Sequence, residues 1–205
     1  MRAWLFLLGI SLAVMCAPMP ASASGVELTE REIAELRAGR AVTRQDDVER
    51  GGRRYIGGVS YVLIDAAPEQ VILALDDVSA YHKILPRTRS VRWFGISRSG
   101  DAIIELEHGN SMVHGKYTIR VRRDRTGSAS IVRFWLDPRF SHDISDASGF
   151  FRVEPSGEKT LLTYLVMVDL GPGLFSRLFE NRIRKTALST PALVKKYVES
   201  LPPAT

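Results

Sequence analysis

Residues 174–199 read LFSRLFENRIRKTALSTPALVKKYVE, and their apolar members fall at helical steps. Phe175, Leu178, Phe179, Ile183, Ala187, Val194, Tyr197 and Val198 recur three and four residues apart, which makes one stripe of a long helix apolar. Arg177, Arg182, Arg184, Lys185, Lys195 and Lys196 lie mainly off that stripe. Pro191 sits inside the run. Lacking an N–H to donate, it must bend the helix or restart it, with Thr190 as a cap. A helix of this kind has to bury its stripe against an apolar partner.

The partner lies upstream. Segments 88–97, 101–108, 112–123, 129–136, 148–153 and 160–169 are each bounded by Gly, Pro, Asp or Ser clusters and read as strands. Gly109-Asn110 suits a two-residue type II′ turn with glycine first. In that register Ala102, Ile104 and Leu106 share a face with Tyr117, Gly115 and Val113, while Glu105 pairs with His114 and Ile103 with Lys116. One face is then apolar and the other mostly polar, as a sheet covered on one side requires. Earlier, 56–65 (IGGVSYVLID) is β-rich, and Pro68 opens a short helix in the position proline favours, with Glu69 in its first turn. Asp76-Asp77 interrupts it, and 78–85 forms a second short helix stopped by Pro86. Residues 28–38 form a helix that Thr29 caps, with Glu32 completing a capping box, and 41–54 form a first strand or a linker. An antiparallel sheet followed by one strongly apolar helix is an α+β layout, and the sheet's apolar face is the helix's partner.

The chain start carries a different signal. Arg2, the apolar run 5–15 and Ala21-Ser22-Ala23 are the three parts of a cleavable export signal, with cleavage expected near Ala23. The run is far shorter than the about 20 residues of a spanning helix, and Pro18 and Pro20 close it. Met15, bulky where lipidation wants a small residue, argues against lipid attachment at Cys16. Cys16 is the only cysteine, so the processed protein has none, which excludes thiol catalysis, Cys-ligated metals and disulfides. Its core must suffice, and chains of this size bury about 70% of their unfolded surface. The expected organisation is a signal peptide at 1–23, a helix with linker or first strand at 24–54, and the main domain at 55–200. The net charge is +5, from 28 basic and 23 acidic residues. Arginines cluster at 87, 89 and 92 and again at 120, 122, 123 and 125. In an exported protein such clusters serve solvation or anionic lipid head groups, and nucleic acid is not an expected partner.

A family resemblance rests on particular residues. They are Ile64-Asp65-Ala66-Ala67-Pro68-Glu69-Gln70-Val71, then Asp77 and Tyr81 ahead of Ile84-Leu85-Pro86. Gly149-Phe150-Phe151-Arg152-Val153 follows, then Thr163-Tyr164 before Asp169-Leu170-Gly171. With the element order, these resemble the START-like superfamily, also called SRPBCC or Bet v 1-like, over about residues 55–200. The local sequence is similar to its polyketide cyclase/dehydrase and Coq10-type lipid-transport branch, departing at Ile72-Leu73, where relatives often carry Trp. The resemblance implies a helix-grip fold, a curved antiparallel sheet wrapped around the C-terminal helix with a deep hydrophobic cavity between them. It also implies a ligand class of sterols, phospholipids, quinones, fatty acids or polyketides. Only some members are enzymes, and no cofactor is expected. A fold of this kind gives the ligand class, and the site has to give the function.

The candidate cavity residues are Tyr81, Trp93, Ile104, Leu106, Tyr117, Trp135, Phe151, Tyr164, Phe175, Phe179 and Ile183. The strand aromatics among them belong to an inner face, although the sequence leaves open which face Trp93 and Trp135 take. No catalytic or metal-binding residue is assigned. Ser141-His142-Asp143 are neighbours on an extended chain and point apart, so they read as a polar loop and not a triad. Glu105 with His114 reads as a surface pair, and His108 falls on the face opposite His114. Gly171-Pro172-Gly173 can hinge the last helix; Phe175 and Phe179 beside Arg177 and Arg182 suit transient membrane contact, although a helix buried on one face and solvated on the other is the preferred reading. The preferred reading is a periplasmic or secreted carrier of a lipid or other hydrophobic small molecule, with no covalent chemistry. The second is a cyclase- or aromatase-like enzyme using Tyr81, His82 and Glu105 as proton shuttles. The third is an envelope interaction module whose pocket Trp93, Trp135 and Phe151 fill.

Overall fold

The computed structural model describes residues 27–109, 114–172 and 174–202, apart from the side chains of 174–178; the export signal, its cleavage point and the Phe175 side chain lie outside these. Helix α1 (Glu30–Arg37) precedes strands β1 (Val42–Arg50) and β2 (Arg53–Ile64). Helices α2 (Pro68–Asp76) and α3 (Tyr81–Ile84), joined by a 3₁₀ turn, lead into β3 (Thr88–Ile96), β4 (Ala102–Gly109) and β5 (His114–Thr126). Then come β6 (Ala129–Leu136), β7 (Asp146–Ser156) and β8 (Lys159–Asp169), followed by α4 (Leu174–Leu188) and α5 (Thr190–Val198). The strands form one antiparallel sheet in the order β1-β2-β8-β7-β6-β5-β4-β3. Segment 41–54 is therefore strand and hairpin, not linker.

Two details differ from expectation. Gly109 is itself paired, with His114, so the register is not that of a turn at Gly109-Asn110; residues 110–113 lie outside those described. Leu106 faces Tyr117 and Glu105 faces Thr118, an even slip that leaves every side chain on its expected face. Glu105 consequently has no pairing with His114 and instead meets Lys116 at 3.0 Å and Arg92 at 3.3 Å. At the break between α4 and α5 the N-cap is Ser189, one residue earlier than expected, while Thr190 donates back to the Ala187 carbonyl at 2.7 Å.

The sheet closes round its helix because strand glycines let it bend. A Cβ on Gly58, whose φ is +139°, would meet the Arg44 carbonyl at 2.0 Å. One on Gly149 would meet the Leu165 carbonyl at 2.1 Å and the Phe134 ring at 2.4 Å. Glycines within strands mark such bends and close approaches. The Phe134 ring occupies the space that Gly149 leaves open.

One end of the concave face is solid. There Val71, Leu75, Ile84, Val194 and Val198 from α2, α3 and α5 pack on Val62, Ile64, Val153 and Leu162. On the convex face Leu36 of α1 makes a small second core with Val42 and Tyr61. The capping box is present, with Thr29 N donating to Glu32 at 2.8 Å and Glu32 N to Thr29 Oγ1 at 3.3 Å. Arg44 Nε also donates to Glu32 at 2.7 Å, which ties α1 to β1.

Two buried carboxylates clamp the ends of β3 to β6. Asp101 accepts from Arg122 Nε at 2.6 Å, Arg120 Nη1 at 3.2 Å and Ser99 Oγ at 2.6 Å. Asp137 accepts from Arg120 Nε at 2.9 Å and Arg139 Nη2 at 2.6 Å. Burial alone would raise the pKa of Asp101, but the bonds from Arg122 and the serines outweigh it and hold it at about 2. The Arg139 and Arg120 guanidiniums likewise hold Asp137 well below the usual carboxylate range. Because both values are depressed, the stabilisation is present above the unfolded carboxylate pKa and is lost as pH falls through the folded one. Asp101→Ala is expected to lower stability by about 1–3 kcal/mol at neutral pH in urea denaturation, since it strands Arg122 and leaves Arg120 with Asp137 alone. Its deficit relative to the parent should shrink as the pH approaches about 2. A neutral-pH change within about 0.5 kcal/mol, typical of an ordinary surface site, contradicts the clamp.

Candidate ligand-binding cavity

The other end of the concave face is hollow. Alternation sends the even-numbered residues of β4, β6 and β8 and the odd-numbered residues of β5 and β7 to that face. Leu106, Ile119, Val132, Phe134 and Val166 thereby become walls of a cavity of about 420 Å³. Phe179, Ile183, Thr186 and Ala187 of α4 roof it, and Leu75 and Ile84 close its inner end. Small-molecule sites are typically apolar clefts of about 300–1,000 Å³ with a few polar groups.

Charges hold the roof. Glu180 on α4 accepts from Arg54 Nη1 at 2.9 Å and Nη2 at 2.7 Å. Arg184 reaches Glu180 at 3.0 Å and Asp47 at 2.5 Å, and Arg54 reaches Asp47 at 2.8 Å. The helix is thus pinned along the β1–β2 edge. On its other side it faces the cavity, whose opening is rimmed by the exposed side chains of Arg87, His114, Asp143 and Arg182.

Among the candidates, Tyr81, Leu106, Tyr117, Phe151 and Tyr164 line the cavity, as do Phe179 and Ile183. Three others do not. Trp135 shares the convex face with Arg133, and its ring lies 5.5 Å from the Arg122 guanidinium. Trp93 stands beside a bulge in the edge strand β3 and is 50% exposed. Ile104 is buried in the solid core and not in the cavity wall. The pocket is therefore not filled by Trp93 and Trp135. Phe134, which is not among the candidates, also lines the cavity, and the sequence carries a signal for it. Arg133 must reach water, so its strand neighbours Val132 and Phe134 turn inward and Trp135 turns out. His108 and Thr190 also line the cavity, and nothing in their spacing marks them.

The side chains considered for chemistry do not converge. His142 bonds the Ile144 carbonyl at 2.7 Å, while Asp143 Oδ2 accepts from Lys116 N at 2.8 Å, so Ser141-His142-Asp143 is a loop. Tyr81 Oη donates to the Leu75 carbonyl at 3.2 Å within the cavity end, His82 is exposed, and Glu105 lies on the convex face. Phe179 points into the cavity and so is not part of an outward surface for membrane contact.

Among the described residues, the inner part of the cavity holds no charged side chain. Burial pushes the phenols of Tyr81, Tyr117 and Tyr164 upward, so they stay neutral hydroxyls. Burial also pushes His108 downward, partly offset by its bond to the Pro86 carbonyl at 3.0 Å. A carbonyl only accepts, so His108 Nδ1 carries the proton in that bond. The ring stacks on Tyr117 with centroids 5.6 Å apart.

A curved antiparallel sheet gripping a C-terminal helix over an apolar cavity is the architecture of the START-like, or SRPBCC, class. The family model described as polyketide cyclase / dehydrase and lipid transport matches residues 64–189, and the chain belongs to that family. A search of the curated proteins finds no match. Among solved structures, the chain is similar to the STAR-related lipid transfer protein of Xanthomonas axonopodis at 16% identity and a TM-score of 0.66, covering 78% of this chain and 94% of that one. It is similar to the lipid transfer and protein localization domain of human StarD13 at 11% identity and a TM-score of 0.59, covering 85% and 100%. The Zhui aromatase/cyclase of Streptomyces sp. R1128 gives 16% identity and a TM-score of 0.55, covering 77% and 94%. At these identities the likeness is one of fold.

The burial of the phenols has a spectroscopic consequence. The unfolded chain sheds phenolic protons near the ordinary pKa of about 10, before the folded chain does, so stability is full below that pH and falls as pH rises through it. In an ultraviolet titration Tyr81, Tyr117 and Tyr164 should ionise only together with loss of the circular-dichroism signal. A single wave near pH 10 releasing all 6 tyrosines from a still-folded protein contradicts their placement.

Proposed function

We propose that this protein is exported, loses residues 1–23, and then holds a lipid or similar hydrophobic small molecule in the cavity beneath α4, shielding it from water or carrying it between membranes. The observation that carries this reading is the cavity of about 420 Å³, apolar in its walls and roof and open at one polar rim. Membership of a family that spans lipid transport and cyclisation supports it, as does similarity to proteins named for lipid transfer. Binding needs no covalent step. Apolar ligand surface leaving water contributes about 25 cal/mol per Å², offset in part by lost ligand freedom.

Native mass spectrometry of the protein purified from its exported fraction tests the reading. The expected result is a chain beginning near Ser24 that carries a small apolar passenger or takes one up from a lipid panel. Ile183→Trp, which fills the cavity from the roof, is expected to lower uptake by about tenfold or more while changing Tm by only a few degrees. Empty protein that takes up nothing from the panel contradicts the carrier reading. A chain that retains residues 1–23 contradicts export by cleavage.

A further inference from the structure

Resting on that reading, we propose that the passenger is a single-chain amphiphile with an anionic head group. Its tail fills the cavity and its head sits between Arg87 and Arg182 at the mouth.

The first ground is charge without a partner. Arg54, Arg120, Arg122 and Arg184 are all held by carboxylates. Arg87 and Arg182 line the cavity, are exposed, and make no side-chain hydrogen bond or ion pair among the described residues. The one carboxylate on the described rim, Asp143, has an oxygen engaged by Lys116 N at 2.8 Å. The mouth therefore has an excess of positive charge over a neutral interior. Guanidinium forks suit carboxylate and phosphate oxygens, with charge-assisted bonds stronger than neutral ones.

The second ground is backbone strain at the same place. Arg87 has φ +55°, the left-handed region that non-glycine residues rarely occupy. Its carbonyl accepts from Gly109 N at 2.9 Å, tying the α3–β3 loop to the end of β4. Strain of this kind persists where the surroundings over-determine it, and it clusters at ligand-gripping sites.

The third ground is size. A cavity of about 420 Å³ lies toward the lower end of the roughly 300–1,000 Å³ of small-molecule sites, which suits one slender apolar tail better than two long acyl chains.

The experiment titrates the exported protein with dodecanoate, dodecyl phosphate, dodecanol and dodecylammonium below their micellar concentrations, in competition with a fluorescent apolar probe. The two anions are expected to bind at least about tenfold more tightly than dodecanol, and the ammonium most weakly. The ratio of the two anions tells carboxylate from phosphate as the natural head. The double variant Arg87→Gln, Arg182→Gln should erase the anion advantage, bringing both anions to the affinity of dodecanol, while its circular-dichroism melting curve reports an intact fold. Equal binding of anion and alcohol overturns the head-group assignment while the carrier reading stands. Preferential extraction of a diacyl phospholipid from vesicles overturns the single-chain assignment. Failure of all four ligands to bind overturns both.

Discussion

Asp47, Arg54, Glu180 and Arg184 set where α4 comes to rest over the sheet. The Glu180 and Arg184 side chains are largely buried, at 14% and 11% exposed, so this network is screened less than an ordinary surface ion pair. Its anchors lie on β1 and β2, at one margin of the sheet. A helix held there can lay its apolar stripe toward the concave face without descending onto it. The rest of the site follows: a roof of Phe179 and Ile183, walls of Leu106, Val132 and Val166, and an opening on the side away from the anchors.

The break at Ser189 and Pro191 divides the two halves of the C-terminal region by task. Beyond it, Val194 and Val198 are fully buried against α2, β2 and β8, which gives the domain a solid base. Before it, α4 spans space. One apolar stripe, continuous in sequence, thus does two different jobs because proline lets the helix restart. Glycines serve the opposite wall. The bend permitted at Gly149 brings Phe134 over the backbone, so that a large ring forms part of the cavity lining.

Much of this was legible in the residues. Strand limits, the capping box at Thr29 and Glu32, the helix opening at Pro68 and the restart near Pro191 all follow from local chemistry, and local chemistry is what a sequence displays. The β4–β5 register differs because Gly109-Asn110 is locally sufficient for a tight turn, while pairing across the whole hairpin keeps Gly109 in the strand opposite His114. Trp135 is legible only through its parity with Arg133, which must reach water. Trp93 was harder, since a bulge and an edge position override alternation. The cavity itself could be reached only through family resemblance. A void is the absence of side chains summed over many elements, and no residue or spacing encodes it.

The account's central claim is that the space beneath α4 is real and receives an apolar molecule. Methyl NMR during titration with dodecanoate addresses it directly. The resonances of Leu106, Val132, Val166 and Ile183 should shift or broaden together, while those of Val62 and Leu162 in the solid core and Leu36 on the convex face stay in place. Shifts confined to Leu36 and its neighbours, or cavity methyls that do not respond as ligand binds, would contradict it.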